Sequence, residues 1–194
     1  MVGDYMFLTG FGDDAQAYAV ADYAYNTLGA RRAWVLTDTS MDFTLALSKY
    51  FKERFTQLAG PSAIVLEDFY QTGDRDFSAQ ITRLRTIQPA PDLLFVSAIP
   101  GDAGLIIKQI REAGITTPIA SGDGFDTPLI AEVPGADLST EIYFATHTSF
   151  ENPAPAVQEF VEGYRKMFNR DPENSFASTG YDAIMLLARA IDRK

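Results

Sequence analysis

The sequence of 194 residues contains no cysteine and only one histidine, His147. Without cysteine the chain cannot form disulfide bonds, thiolate nucleophiles or zinc sites with sulfur ligands. A single histidine excludes multi-histidine metal sites and an imidazole relay with a second histidine. We therefore predict no metal site and no cofactor, and we assign His147 to the surface or to the end of a strand.

Motifs that carry catalysis or nucleotide binding are also missing. No G-x-S-x-G sequence is present to hold a serine nucleophile. The glycine pairs at 10–12 and 122–124 do not complete a dinucleotide fingerprint, and no G-K-[ST] sequence marks a phosphate-binding loop. We predict that the chain is not an enzyme.

Positive charge is scarce, because 16 Lys and Arg residues stand against 26 Asp and Glu residues and the formal net charge is −10. Such a chain repels phosphate backbones and anionic lipid head groups, so we expect no nucleic acid partner. No stretch reaches the roughly 20 apolar residues of a membrane-spanning helix. Residues 1–10 lack the basic start and the cleavage site of a signal peptide, and from the sequence we expect a soluble chain.

Short apolar segments alternate with amphipathic ones along most of the sequence. Strands are predicted at residues 33–37, 63–69, 93–96, 118–120 and 141–146, with Trp34 in the core. Helices are predicted at 15–28, from 43 to a stop at Gly60, and at 77–87, 102–113, 157–168 and 181–191. This order favours βαβ crossovers and a parallel sheet covered on both faces. The predicted fold class is α/β, a three-layer αβα doubly wound parallel sheet with two C-terminal helices.

The loop after the fourth predicted strand holds Asp123 between Gly122 and Gly124. Ligands of open α/β sheets bind outside the carboxyl ends of the strands, and glycines let the backbone approach a ligand closely. A carboxylate there can receive an ammonium group through charge-assisted hydrogen bonds. The alternative is that Asp123 only caps a short helix starting near Thr127. The pattern leaves both interpretations open.

Apolar residues follow two other strands of the same predicted sheet. Phe43 comes after the first strand, and Ile99 and Pro100 come after the third, so all three could flank the mouth of one site. The alternative for Phe43 is a core position, because it recurs at helical spacing with Leu47.

A separate acidic loop contains Asp74 and Asp76. Two aspartates at this spacing suggest calcium, but the other ligand positions of an EF-hand loop are missing. We therefore predict that Asp76 caps the helix that follows.

Five segments of the sequence carry a family pattern: residues 77–81 (FSAQI), 105–115 (LIIKQIREAGI), 122–126 (GDGFD), 155–161 (PAVQEFV) and 180–184 (GYDAI). Together and in this order they resemble the periplasmic Leu/Ile/Val-binding protein family. In that family two α/β lobes close over an amino acid or a related small molecule and deliver it to a membrane permease driven by ATP hydrolysis. The resemblance covers nearly the whole chain and implies a periplasmic location.

The resemblance also implies a domain organisation. Residues 1–14 correspond to the end of an interlobe crossing strand, residues 15–148 to the second ligand-binding lobe, and residues 149–194 to a helical return segment of the first lobe. The first-lobe sheet of the family, with its Ser/Thr loops for the ligand carboxylate, has no counterpart in this sequence.

The resemblance assigns ligand-binding roles to a few positions. Asp123 stands where the family has an acid that binds the ligand's α-ammonium, and Phe43 matches a tyrosine that lines the pocket. The family often has tyrosines around Ile99 and Pro100, and some members with the same acid bind amides or aromatic acids. The candidate ligand-binding residues are Asp123, Phe43, Ile99, Pro100 and Gly124.

We therefore expect the solute-binding component of an ABC importer, binding a branched-chain or related amino acid in an interlobe cleft. The alternative is a ligand-sensing domain of a regulator or receptor on the same fold. A signal peptide and a first lobe upstream would favour transport, and their absence would favour a cytoplasmic sensor. The two C-terminal helices either pack on the sheet or belong to a neighbouring lobe, and in this chain alone we expect their apolar faces to drive self-association.

Overall fold

A computed structural model describes residues 6–192 of the chain. These residues form two compact units. Residues 13–145 make up the first, which we call the sheet unit. The described residues up to Gly12 and those from Thr146 onward make up the second, which we call the helical unit.

The sheet unit is built on five parallel strands in the spatial order β2-β1-β3-β4-β5. The strands are β1 (Ala33–Asp38), β2 (Ile64–Tyr70), β3 (Leu93–Ser97), β4 (Ile119–Ser121) and β5 (Ile142–Phe144). All five overlap the predicted segments. The prediction of a doubly wound parallel sheet is therefore confirmed.

One helix precedes the first strand, and four others connect the strands along the chain. They are α1 (Asp13–Asn26), α2 (Asp42–Ala59), α3 (Ser78–Thr86), α4 (Pro100–Glu112) and the short α5 (Leu129–Glu132). Helix α4 begins two residues before its predicted start. The reason is that Pro100 occupies the first helical position, where its missing N–H costs no hydrogen bond.

Side chains of the central strands alternate between two cores, and this alternation places helices on both faces of the sheet. Trp34 and Leu36 of β1 are fully buried in the core that includes α3 and α4. Val35, between them, belongs to the core that includes α1 and α2. In that second core Phe51 of α2 stacks on Phe95 of β3, with ring centroids 3.8 Å apart. The result is the predicted three-layer αβα arrangement.

The helical unit contains α6 (Pro155–Phe168) and α7 (Phe176–Asp192). Helix α6 is followed by its C-cap Asn169, which adopts a left-handed conformation with φ of 54°. Helix α7 begins five residues before its predicted start at 181, because the N–H groups of Ser178 and Thr179 already donate to the Ser175 carbonyl. Among residues 6–192, no helix has both the length and the apolar character needed to cross a membrane.

His147 also lies in the helical unit, three residues after the end of β5. Its ring is partly buried and packs against Phe11, with ring centroids 4.1 Å apart. Gly10 lies so close that a Cβ there would be 2.7 Å from Cε1 of His147. The histidine has a packing environment at a strand end, in agreement with the prediction.

Candidate ligand-binding site

The strand order creates a topological switch point between β1 and β3. The chain passes from β1 outward to β2, then returns to β3 on the other side of β1 and continues to β4 and β5. Thr37 and Ser97 are paired across this point, close to the carboxyl ends of both strands. In open α/β sheets the crevice outside such a point is where ligands bind.

Hydroxyl groups tie together the loops that leave this edge of the sheet. The Thr44 hydroxyl, in the first turn of α2, donates to the Asp38 carbonyl at 2.7 Å. The Ser97 hydroxyl donates to the Thr44 carbonyl at 2.7 Å, and the Ser121 hydroxyl donates to the Val96 carbonyl at 2.6 Å. These bonds join the start of α2 to the ends of β1 and β3, and the end of β4 to β3.

Asp123 follows β4 and opens a short 3-10 turn, Asp123–Phe125. Only 8% of its surface is exposed. Its backbone N–H donates to the side-chain oxygen of Gln16 on α1 at 2.9 Å. Helix α5 starts four residues beyond the turn, and there the Thr127 hydroxyl accepts from the Leu129 N–H at 3.3 Å. The structure therefore places Asp123 at the carboxyl edge of the sheet, as predicted.

The two glycines beside Asp123 are required by contacts within the chain. A Cβ at Gly122 would lie 2.4 Å from the Gln16 side-chain oxygen and 2.8 Å from a methyl carbon of Leu47. A Cβ at Gly124 would lie 2.0 Å from the Ala98 carbonyl oxygen. Packing within the chain therefore already requires glycine at both positions, and their close approach to a ligand stays a prediction.

These contacts bring the Asp123 turn next to Ile99, one of the other predicted site residues. Ile99 is the N-cap of α4 and is partly exposed, and its Cα would lie 3.7 Å from a Cβ at Gly124. Pro100 follows as the exposed first residue of α4. Phe43 is the second residue of α2 and packs on the core between α1, α2 and the sheet while part of it stays exposed. It lies one helical turn before Leu47, which approaches Gly122.

Two residues of α1 that sequence reasoning missed also belong to this region. Gln16 is 2% exposed, and its side-chain nitrogen donates to the Asp13 carboxylate at 3.2 Å. Burial raises the pKa of Asp13, the hydrogen bond from Gln16 opposes this, and the carboxylates of Asp123 and Asp14 raise the pKa further. The two aspartates at the start of α1 are visible in the sequence, but no local pattern connects them with residue 123.

A second polar cluster lies at the ends of β1 and β2. The Asp38 carboxylate accepts from the N–H groups of Ser40 at 2.9 Å and Thr72 at 3.0 Å. Asp102 of α4 accepts from the Gly73 N–H at 3.1 Å. Burial, followed by repulsion from nearby carboxylates of which Asp38 is the first, raises the pKa of Tyr70. This cluster fixes the loop after β2 against α4.

The structure also bears on the predictions about metals and capping. In the part of the chain from 6 to 192, no group of three or more His, Asp or Glu side chains could hold a metal ion. The Asp76 carboxylate accepts from the Ser78 N–H at 2.9 Å, at the first turn of α3. Hydrogen bonds from Ser78 lower the pKa of Asp76. The N-cap of α3 is Phe77, which forms no side-chain capping bond, so the prediction that Asp76 caps the helix is wrong by one position. Asp76 instead closes the turn that leads into the helix, because the chain enters the helical conformation only after Phe77.

The sheet unit is a doubly wound parallel sheet with a polar turn at its carboxyl edge, the edge where open α/β sheets bind ligands. A family model described as periplasmic binding protein matches residues 2–193, and the chain belongs to this family. The family consists of substrate-binding proteins and not of enzymes, in agreement with the sequence-based prediction.

Three similar proteins illustrate this membership. The Leu/Ile/Val-binding protein homolog 3 of Brucella melitensis is 22% identical over 97% of this chain and 49% of its own length. The leucine binding protein LivK of Thermotoga maritima is 34% identical, with a TM-score of 0.84 over 95% of this chain and 51% of that one. LivJ of Streptococcus pneumoniae, a branched-chain amino acid transporter substrate binding protein solved with isoleucine, is 31% identical, with a TM-score of 0.83 over 96% and 52%. The chain spans about half the length of these relatives.

Proposed function

We propose that this chain forms one wall of the ligand cleft in a solute-binding protein that supplies an ABC importer with a branched-chain or related amino acid. The observation that carries the proposal is the position of Asp123. Its carboxylate stands on a fixed turn at the carboxyl edge of the sheet, beside Ile99 at the start of α4. The opposite wall would come from the additional sequence that the longer relatives carry.

The chemistry of this edge favours a ligand with both a cationic and an apolar part. A carboxylate forms charge-assisted hydrogen bonds with an ammonium group. Phe43 and Ile99 are partly exposed and provide apolar surface at the same edge of the sheet. Two similar proteins are named for leucine or for branched-chain amino acids, and one was solved with isoleucine. An aliphatic α-amino acid combines these features.

The family membership supports the remaining parts of the proposal. We infer an extracytoplasmic location and a membrane permease as the protein partner, because the family is one of periplasmic binding proteins and a relative is named as part of a transporter. Binding without chemistry, followed by hinge closure, is the mechanism that such a two-walled cleft would use. Uptake of labelled leucine or isoleucine by cells that lack the encoding gene tests the transport role. Unchanged uptake would instead favour a ligand-sensing domain on the same fold.

A direct binding test follows backbone amide shifts of the isotopically labelled chain during titration with amino acids, and with one aromatic acid, at millimolar concentration. The panel contains leucine, isoleucine, valine, phenylalanine, serine and benzoate. We expect leucine, isoleucine or valine to shift resonances around Phe43, Ile99 and Asp123, because a single wall binds weakly but at the same place. Shifts confined to other surfaces would contradict the proposed site.

The role of the carboxylate is tested by Asp123→Asn, with Asp137→Asn as the control. Asp137 is exposed on another turn of the same unit, so its substitution removes the same charge away from the site. We expect Asp123→Asn to weaken amino acid binding by about 1.5 to 3 kcal/mol, the scale of a charged hydrogen bond. Equal affinity of the two variants would show that the carboxylate does not bind the ammonium group.

A further inference from the structure

Gln16 connects α1 to a loop that is 107 residues away in the sequence. Its side-chain oxygen accepts from the Asp123 N–H at 2.9 Å in a fully buried contact. Gln16 itself is 2% exposed, so its amide has no access to bulk water as a replacement partner. A buried polar group that loses its partner bears the full cost of its desolvation, and the contact therefore fixes the turn strongly.

The orientation of the Gln16 amide is set by the groups on its two sides. Because its oxygen accepts from the Asp123 backbone, its nitrogen must point the other way. There it donates to the Asp13 carboxylate at 3.2 Å. A carboxylate is a suitable acceptor on that side, and an amide accepts from one partner and donates to the other without a change of protonation.

The same geometry holds a second negative charge near the candidate site. Asp13 interacts electrostatically with Asp123, on the turn after β4, and with Asp14, its neighbour on α1. Burial and this repulsion both raise the pKa of Asp13, so the folded chain resists the addition of further negative charge here. A cationic ligand group beside Asp123 relieves the repulsion, whereas an anionic group increases it.

We propose that Gln16 and Asp13 are positioning residues that hold the Asp123 turn and add a second negative charge to it, which makes the site selective for ligands with an ammonium group. The selectivity rests on the proposed binding function, but the positioning does not. Asp13 acts through Gln16 and through its field, and Asp123 remains the residue that contacts the ligand.

The positioning is tested without any ligand, by following the Asp123 amide resonance of the labelled chain between pH 3 and pH 7. We expect this resonance to shift with the same midpoint as the Asp13 carboxyl carbon, because the Gln16 amide links the two groups. Asp13→Asn should abolish the part of the shift that has this midpoint. Asp14→Asn, which removes the adjacent exposed carboxylate, should keep that part and lower its midpoint, because the Asp14 charge raises the pKa of Asp13. If the Asp123 amide resonance does not shift as Asp13 ionises, the proposal is overturned, whether or not an amino acid binds.

Substitutions of Gln16 test the link between the two groups directly. Gln16→Leu removes the acceptor and should broaden or displace the Asp123 amide resonance. Gln16→Glu keeps an oxygen that can accept from the Asp123 N–H, but its charged form repels the Asp13 carboxylate. We therefore expect Gln16→Glu to restore the resonance in a pH-dependent manner. An Asp123 resonance that stays in place in Gln16→Leu would overturn the positioning role.

The selectivity is tested by comparing leucine, which has an ammonium group, with 4-methylpentanoate, which has the same carbon chain without it. We expect Asp13→Asn to weaken leucine binding by about fivefold, the effect of a partly screened charge, and to weaken 4-methylpentanoate binding not at all. If Asp13→Asn weakens the binding of both ligands equally, the proposed role of Asp13 in selectivity is overturned. If leucine does not bind the parent chain, the proposed function fails, and the ligand-free titration alone decides the positioning.

Discussion

Gly124 lies so close to Ala98 that a Cβ at Gly124 would be 2.0 Å from the Ala98 carbonyl oxygen. The obstructing atom belongs to the backbone at the end of β3, so it cannot move aside like the end of a flexible side chain. This contact joins the Asp123 turn to the start of α4. The geometry of the candidate site therefore depends on the absence of a Cβ at residue 124.

Gly124→Ala should therefore destabilise the sheet unit. We expect the free energy of unfolding to fall by about 1–3 kcal/mol, the usual cost of forcing an extra carbon into a packed position. Gly101→Ala is the matched control, because a Cβ at this helical position meets nothing within 4 Å. Urea unfolding followed by the fluorescence of Trp34, the single tryptophan, measures both variants. Equal free energies of unfolding for Gly124→Ala and Gly101→Ala would mean that the backbone at Ala98 shifts at little cost to admit the extra carbon.

Arg111 should be among the side chains on which the stability of the sheet unit depends most. Its guanidinium donates to the carbonyls of Ile115 at 2.8 Å, Thr117 at 2.9 Å and Thr140 at 2.9 Å, and burial lowers its pKa. Lysine cannot reproduce this planar set of donors. Arg111→Lys is expected to cost about 2–4 kcal/mol of unfolding free energy.

The control for this substitution is Arg85→Lys, at an exposed position of α3. This substitution should change the free energy of unfolding by no more than about 0.5 kcal/mol. Chemical unfolding at neutral pH compares the two, since both substitutions keep the charge. A small effect at both positions would show that the three carbonyls find other partners when the guanidinium is lost.

Asp13 should make the stability of the chain depend on pH in a defined direction. Burial, and then repulsion from Asp123 and Asp14, raises its pKa above the ordinary value of 3.8. The folded chain therefore binds this proton more tightly than the unfolded chain does. Stability attributable to Asp13 must fall as pH rises from about 3.8 through the raised pKa, and stays low above it.

Asp13→Asn removes this ionisation and keeps an oxygen that can accept from Gln16. We expect the variant to lose part of the decline in unfolding free energy that the parent chain shows across this pH range. Asp14→Asn should retain the decline. Urea unfolding curves at a series of pH values measure these free energies. Parallel pH profiles of the parent chain and Asp13→Asn would contradict the claim that Asp13 causes the decline.

The exposed apolar face of α7 should drive self-association of this chain. Tyr181, Ile184, Leu187 and Ile191 recur every three or four residues and are each at least 50% exposed. Exposed apolar stripes of this kind mark association surfaces. Light scattering across a concentration series should show a rising average mass.

The double variant Ile184→Glu, Leu187→Glu should reduce that association. Arg189→Glu is the control, because it changes the net charge by the same amount at a position away from the stripe. A parent chain that stays strictly monomeric at high concentration would refute the prediction. Equal reduction by both variants would point to charge and not to the apolar stripe.

Much of the fold could be predicted because its signals are local. Buried strands such as 93–96 stand out as apolar runs, and glycine stops mark helix ends, as Gly60 does for α2. Helix starts were less accurate. Pro100 begins α4 where the pattern suggested residue 102, and α7 includes Gly180 despite the low helix propensity of glycine, because tertiary context overrides propensity.

The candidate site was only partly accessible to sequence reasoning. Asp123 could be placed at the edge of the sheet because it directly follows a predicted strand, and that rule needs only the order of the elements. The hydrogen bond from the Asp123 N–H to Gln16 joins residues 107 positions apart. A single sequence contains no local pattern for such a contact, so Gln16, Asp13 and the packing role of Gly124 emerged only from the three-dimensional arrangement.

The hydroxyls at the strand ends have a consequence for how such a lobe can evolve. Thr37 bonds to Ser48, Ser97 bonds to the Thr44 carbonyl, and Ser121 bonds to the Val96 carbonyl, so each already has a partner within the scaffold. The frame of the sheet edge therefore does not depend on a ligand for its hydrogen bonds. In the proposed site, substitutions at residues 43 and 99 would change ligand recognition while the hydrogen bonds of the frame persist. One scaffold could then acquire new ligands without a loss of stability.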